Sequence, residues 1–219
     1  MSASLFAGDM AEAQSPDEHR NTYVFINGGY YKGLYQTNFT RYSRGVLTSL
    51  ESFDDPHSDG YGQLGLGRAA SIGWFAFDHQ LSVGRLFGTR SFRAGTSNFN
   101  FKQEIDFGYD FMPKISVFQS LIAYGIVGAH YGRFTYQKIP SLTTATYFHS
   151  NNNELGFNLG AGVNYEFNTC FSLGIQYQHW QYGSTQVFAL NTLSERNEIQ
   201  RFEPSFDLVG VNLRYYWPS

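Results

Sequence analysis

From Leu155 to Phe167 the chain alternates without a break. Leu155, Phe157, Leu159, Ala161, Val163, Tyr165 and Phe167 hold one phase, and Gly156, Asn158, Gly160, Gly162, Asn164 and Glu166 hold the other. Apolar side chains at every second residue would spread around all sides of a helix, whereas on a strand they line a single face. This segment is therefore a long strand. The same period returns from Asn98 to Phe111, where Phe99, Phe101, Ile105, Phe107, Tyr109 and Phe111 face Asn98, Asn100, Lys102, Glu104, Asp106, Gly108 and Asp110. It returns again in Val209, Val211, Leu213, Tyr215 and Trp217, and in Phe171, Leu173, Ile175 and Tyr177.

The connectors alternate between short and long. Phe77-Asp78-His79, Phe111-Met112-Pro113-Lys114 and Phe167-Asn168-Thr169 read as tight turns, because each follows an aromatic residue and carries turn-forming chemistry. Three polar stretches, Gln36 to Gly60, Gln137 to Asn153 and Ala189 to Gln200, read as long loops, and Arg93 to Ser97 as a shorter one. With a first strand near Thr22 to Leu34, the expectation is eight antiparallel strands with both termini on the short-turn side. Residues 22–217 then form one domain.

A soluble barrel or sandwich would turn the apolar phase inward, and a membrane barrel would turn it outward. Side-chain size separates the two, because an eight-stranded barrel has a lumen only wide enough to be filled by its own side chains. The glycine-rich polar phase suits that interior, and the Phe, Tyr and Leu phase is too bulky for it. Aromatics also gather at the short-turn boundary, where Trp74, Phe77, Phe111, Phe167, Tyr215 and Trp217 form the girdle expected at a lipid–water interface. The fold class expected is all-β, an eight-stranded up-and-down transmembrane β-barrel.

Composition excludes several functions. The net charge is −3, with Lys and Arg scattered and no basic stripe, which removes nucleic acid as a partner. A lone cysteine, Cys170, leaves no internal disulfide and no cysteine-based metal site. The uncharged run from Ile115 to Gly132 contains Gln119, Ser120, three glycines and His130, a poor membrane helix. Residues 1–21 read as a signal-peptide remnant or flexible segment, since Ser2-Ala3-Ser4-Leu5-Phe6-Ala7 and Ala11-Glu12-Ala13 look like the small-residue end of an export signal.

These residues resemble the small outer-membrane β-barrels of Gram-negative bacteria, of the OmpA transmembrane-domain, OmpX and opacity-protein type, over about residues 22–217. The nearest thing to a motif is Gly210-Val211-Asn212-Leu213-Arg214-Tyr215-Tyr216-Trp217, which looks like the C-terminal signal read by the barrel-assembly machinery. It departs at Leu208, where a polar residue is usual, and in the Pro218-Ser219 tail. The resemblance implies outer-membrane lipid and that machinery as partners, with any host or surface ligand held by the loops.

Two arginines break the pattern. Arg68 and Arg85 fall on the apolar phase, where an arginine at the bilayer midplane costs about 2–4 kcal/mol. The expectation is a bulge that turns each inward or a position beyond the bilayer. On the polar phase, Lys102, Glu104, Asp106, Asp110, Glu166 and Arg214 are the candidate lumen network, with Arg214, Asp110 and Glu166 near one depth. Such a network either plugs the barrel or lines a very small pore.

No catalytic residue, cofactor or metal is expected. His149-Ser150-Asn151 differs in spacing from the His-x-Ser-Asn of lipid A deacylase barrels. His57 lies with Asp54, Asp55 and Asp59, but the spacing fits no defined calcium loop, and a solvated acidic loop explains them. His79, His130 and His179 stand singly as interfacial or lumen residues. The function this supports is a non-enzymatic barrel with a filled lumen and a structural or surface-recognition role. A narrow pore or a conduit for small hydrophobic molecules is the alternative, and a lipid-modifying enzyme stands behind both.

Overall fold

The computed structural model describes residues 22–43, 46–72, 75–94, 97–139, 148–191 and 196–217. All regular structure in them is β: β1 (Thr22–Ser43), β2 (Val46–Ile72), β3 (Phe75–Leu86), β4 (Arg90–Ala94), β5 (Ser97–Phe118), β6 (Leu121–Ile139), β7 (Phe148–Glu166), β8 (Phe171–Tyr182), β9 (Thr185–Asn191) and β10 (Arg196–Tyr216). Neighbouring strands are antiparallel, and β1 closes the ring on β10. Because β3 with β4, and β8 with β9, each continue one stave past a break, the ten segments make a ring of eight.

The register fixes the geometry of the ring. Successive partners Thr22, Arg68, His79, Phe111, Val127, Leu159, His179, Asp207 and Lys32 lead once around it and return ten residues further along β1. With about 3.3 Å per residue and 4.8 Å between strands, that stagger tilts the strands by roughly 40°. Each residue along a strand then climbs about 2.5 Å, and each step to the next strand along this row climbs about 3 Å. On the outer face of β10 the apolar run lies between Asp207 and Trp217, with Val209, Val211 and Leu213 exposed. That span is about 25 Å tall, the height of a barrel's lipid-facing band.

Two expected turns are strand. β3 runs through Phe77-Asp78-His79, and β5 runs through Phe111-Met112-Pro113-Lys114 to a turn at Gln119-Ser120. Asp78 reads as a turn former but faces the lumen, where two cations hold it. The third turn stands, and there the Asn168 side chain accepts from the Cys170 and Phe171 amides. The expected long loops are largely ladder as well, since β1 and β2 stay paired out to Ser43 opposite Val46.

The ring is closed only in its lower part. Pairing of β2 with β3 stops at Tyr61 opposite Leu86, ending in the bond from the Phe87 amide to the Gly60 carbonyl (2.8 Å), and β4 then pairs with β5 alone. On the opposite side, β7 and β8 part at Gly156 opposite Tyr182, ending in the bond from the Gly183 amide to the Leu155 carbonyl (2.9 Å), and β9 pairs with β10. Beyond these seams the described strands form two four-stranded sheets, β9-β10-β1-β2 and β4-β5-β6-β7. Gly88, at the first break, has φ of 90°, a left-handed backbone that glycine adopts without strain.

Candidate functional site: the filled lumen and the charged outer wall

Inward residues come as glycines and polar groups beside a few large rings, and the glycines make room for the rings. A Cβ on Gly162 would lie 2.5 Å from the Tyr124 ring, and one on Gly210 would collide with the Tyr61 hydroxyl. Rings from one strand thus lie flat against the backbone of another, and the lumen closes.

Near the short-turn end, Arg214 from β10 is buried and donates through Nη1 to Asp78 Oδ2 (3.0 Å) and through Nε to Asn212 (2.8 Å). Its guanidinium lies over the Tyr23 ring (5.0 Å) and the Tyr124 ring (5.1 Å), and Asn164, with its amide oxygen turned toward it, accepts from the same group at 3.0–3.2 Å. Asp78 Oδ1 accepts from Lys114 Nζ (2.6 Å), and Oδ2 also accepts from the Tyr23 hydroxyl (3.2 Å). A cation taken out of water needs paired charge and filled hydrogen bonds, and this site supplies both.

Halfway up lies a second cluster, of opposite sign. His130 Nδ1 is 2.6 Å from Asp106, and its Nε2 is 3.4 Å from Asp110. The Tyr182 hydroxyl donates to Asp106 (2.5 Å) and accepts from Gln103 (3.1 Å), while Asn158 donates to Asp110 (2.9 Å). The His130 ring packs 4.4 Å from Trp180, whose indole donates to Gln178 (2.6 Å).

Higher still, rings fill the cross-section. Phe101 stacks on Phe134 (5.3 Å), Phe134 meets Tyr182 edge-on (4.9 Å), Tyr136 lies 4.3 Å from Phe202, and Phe206 contacts Tyr31 (5.7 Å) and Tyr182 (5.9 Å). This corrects the expectation that the bulky phase stays outside. Tyr136 and Phe202 belong to different upper sheets, so the plug also joins the two sheets across the seams.

The expected lumen charges divide. Asp106, Asp110 and Arg214 are buried in the barrel. Lys102 and Glu104 are not with them. The β5–β6 register shifts between Gln103 and Ile105, which swaps the phases: Phe99, Phe101 and Gln103 turn inward, and Lys102 pairs with Glu104 (3.1 Å) in a partly exposed position. An extra residue in a strand does this, and alternation alone does not reveal it. Arg214 and Glu166 share a row through Ser172, but Asp110 lies in the row of Gly128 and Asn158. A turn at 111–114 would put Asp110 at the depth of Arg214, whereas β5 runs on to Phe118 and lifts it away. His130 is one of the lumen residues expected, whereas Asp78 and Lys114 sit in segments that read as turns and Tyr182 stands singly in the sequence.

On the outer wall, Phe167 and Trp217 are exposed, Tyr215 packs on Phe171 (5.0 Å) and Trp217 (5.9 Å), and Phe77 lies beneath Phe75 (5.6 Å) and Phe111 (5.3 Å). Trp74 and residues 1–21 lie outside the described residues. Arg68 and Arg85 are both exposed, and the β2–β3 register runs unbroken from Tyr61 to Ile72, so no bulge turns them inward. Arg85 is at the upper edge of the band, and Arg68 is near its lower edge. Ser150 lies on β7 and donates to Asn152 (3.1 Å), and the His149 side chain is outside the described part. Asp59 accepts from its neighbour, the Gly60 amide (2.7 Å), and no group of three metal-ligating side chains occurs among the described residues.

No protein-family model and no curated protein matches this chain. Solved structures do. The outer membrane protease OmpT of Escherichia coli aligns at TM-score 0.53 and 7% identity, covering 93% of this chain and 98% of that one. A major outer membrane protein of Thermus thermophilus aligns at 0.52 and 12%, covering 86% and 99%. The outer membrane protein OprG of Pseudomonas aeruginosa aligns at 0.52 and 11%, covering 91% and 98%. The fold is that of the outer-membrane β-barrels, with an apolar wall built to face lipid.

Proposed function

We propose that this barrel is a non-enzymatic outer-membrane protein whose role is structural or surface recognition, carried by the part that projects beyond the wall. The observation behind the reading is the pairing of a plugged lumen with two projecting sheets that carry open strand edges. A section packed with Phe101, Phe134, Tyr136, Phe202 and Phe206 fills the lumen with buried rings, which weighs against the pore alternative. The projecting edge of β2, from Val46 to Gly60, carries Glu51, Asp54, Asp55 and Asp59 and no Lys or Arg, so it suits an extended or cationic ligand at a host or other surface. The protease activity of the OmpT neighbour is not carried over at 7% identity. Membrane lipid and the barrel-assembly machinery, engaged through β10, complete the proposed partners.

Two measurements test this. In planar bilayers the folded protein is expected to show no steady single-channel current, and regular openings would restore the pore reading. Shortening the β1–β2 hairpin by removing residues 37–57 is expected to abolish adhesion of vesicles carrying the protein to a host-cell monolayer while keeping the heat-dependent gel shift of a closed barrel. Unchanged adhesion with the shift retained would overturn the recognition role.

A further inference from the structure

Arg68 and His79 stand directly opposite each other on β2 and β3, both on the lipid-facing side. The Trp217 amide bonds to the Thr22 carbonyl and Thr22 is opposite Arg68, so Trp217, Thr22, Arg68 and His79 lie along one row. At about 3 Å of climb per strand, Arg68 sits about 6 Å and His79 about 9 Å above Trp217, inside the lower edge of the apolar band. An arginine at that depth reaches the headgroups by extending its side chain along the wall.

The surroundings of this pair are built. The Tyr109 hydroxyl and His79 Nδ1 share a hydrogen bond (2.5 Å), which fixes the ring and leaves Nε2 as the ring nitrogen available to a ligand. Phe77 (5.1 Å), Phe111 (5.6 Å) and Tyr109 (5.8 Å) surround the imidazole. Among the described residues no carboxylate flanks Arg68 or His79 on the outer face, where the neighbours are Thr22, Leu66, Ala70, Phe77, Leu81 and Phe111. The upper edge of the same wall is different. There His79's counterpart His179 is 2.8 Å from Asp207, which also lies opposite Lys32, Lys102 has Glu104 (3.1 Å), and Arg201 has Glu203 (2.9 Å).

We infer that Arg68 and His79 form a binding site for the phosphate of an anionic glycerophospholipid in the leaflet on the short-turn side. The guanidinium pairs with the phosphate, the imidazole Nε2–H donates to it, and the aromatic group around His79 meets the glycerol and upper chain region. Charge complementarity singles out the lipid, because at this depth the membrane supplies anions and the wall offers none. The contact also explains how an arginine persists on a lipid face that otherwise disfavours it.

The test is native mass spectrometry of the full chain released from micelles that hold equal amounts of phosphatidylglycerol and phosphatidylcholine. Wild type is expected to retain one phosphatidylglycerol with a preference of about fivefold, the factor equivalent to ~1 kcal/mol for a basic residue at an anionic surface. Arg68→Gln and His79→Gln are expected to bring that ratio toward one, Arg68→Lys to keep most of it, and Arg85→Gln to leave it unchanged. Equal retention of both lipids by wild type, full preference in Arg68→Gln, or displacement by millimolar inorganic phosphate would overturn the site. Where Arg68→Gln fails to fold, spin-labelled phosphatidylglycerol and phosphatidylcholine are compared on the wild-type protein in bilayers. Stronger immobilisation of the former supports the site, and equal immobilisation refutes it.

Discussion

Below Gly60 and Leu155 every strand has two hydrogen-bonded neighbours, whereas beyond those residues the same staves, among the described residues, form two sheets with open edges. The difference follows from the solvent. In hydrocarbon an unpaired N–H or C=O costs several kcal/mol, so a membrane-spanning sheet must close on itself. In water an open edge is solvated, and closure becomes optional. The seams therefore mark where the need for closure ends, and they agree with the outer charges at Lys32, Arg85 and Asp207 in placing the upper edge of the lipid band.

Proline placed on either side of the seams should separate the two regimes most strongly. Val127→Pro removes a ladder donor from a lipid-facing strand paired on both sides, and the heat-dependent gel shift should be lost. Leu47→Pro, in the projecting hairpin, should leave that shift intact. If both variants fold equally well, hydrocarbon does not impose closure on the lower ring.

Next in size is Arg214→Ala, which leaves Asp78 with Lys114 and the Tyr23 hydroxyl and removes the partner of Asn212 and of the Tyr23 and Tyr124 ring faces. Breaking a buried pair in this way costs about 3–5 kcal/mol. Urea unfolding of the refolded protein, followed by gel mobility, should show a midpoint well below wild type. Gly162→Val drives a side chain into the Tyr124 ring, and overpacking of that kind costs about 1–3 kcal/mol. Smallest is Lys102→Gln, since an exposed pair such as Lys102–Glu104 contributes about 0.2–1 kcal/mol. A loss as large as that of Arg214→Ala would put Lys102 back in the lumen and discredit the bulge.

Alternation made the staves legible. Leu155 to Phe167 could be nothing but a strand exposed on one face to lipid, and the short-turn end at Phe167 followed from Asn168. What the sequence hid were features that break the period. The bulge at Glu104 moved Lys102 and Glu104 out of the network and put Phe99 and Phe101 into it. Pro113 and Asp78 carried turn chemistry into strands that needed a charge or tolerated a missing donor, which displaced Asp110 from its true depth. One signal was present but unread, since both seams carry an aromatic residue, a glycine and a hydroxyl residue in order, Phe87-Gly88-Thr89 and Tyr182-Gly183-Ser184.

Those two seams fall on opposite sides of the ring, so the projecting part has approximate twofold symmetry about the barrel axis, with four strands in each half. Mechanically the halves are two levers with a common base. A tangential pull that separated them would meet no ladder across either seam among the described residues, and ring contacts such as those of Phe202 with Tyr136 and Phe101 and of Phe134 with Tyr182 would resist it. The packing that stops the lumen is thus also the clasp between the levers, and loosening it from above would widen the mouth before disturbing a single hydrogen bond in the wall.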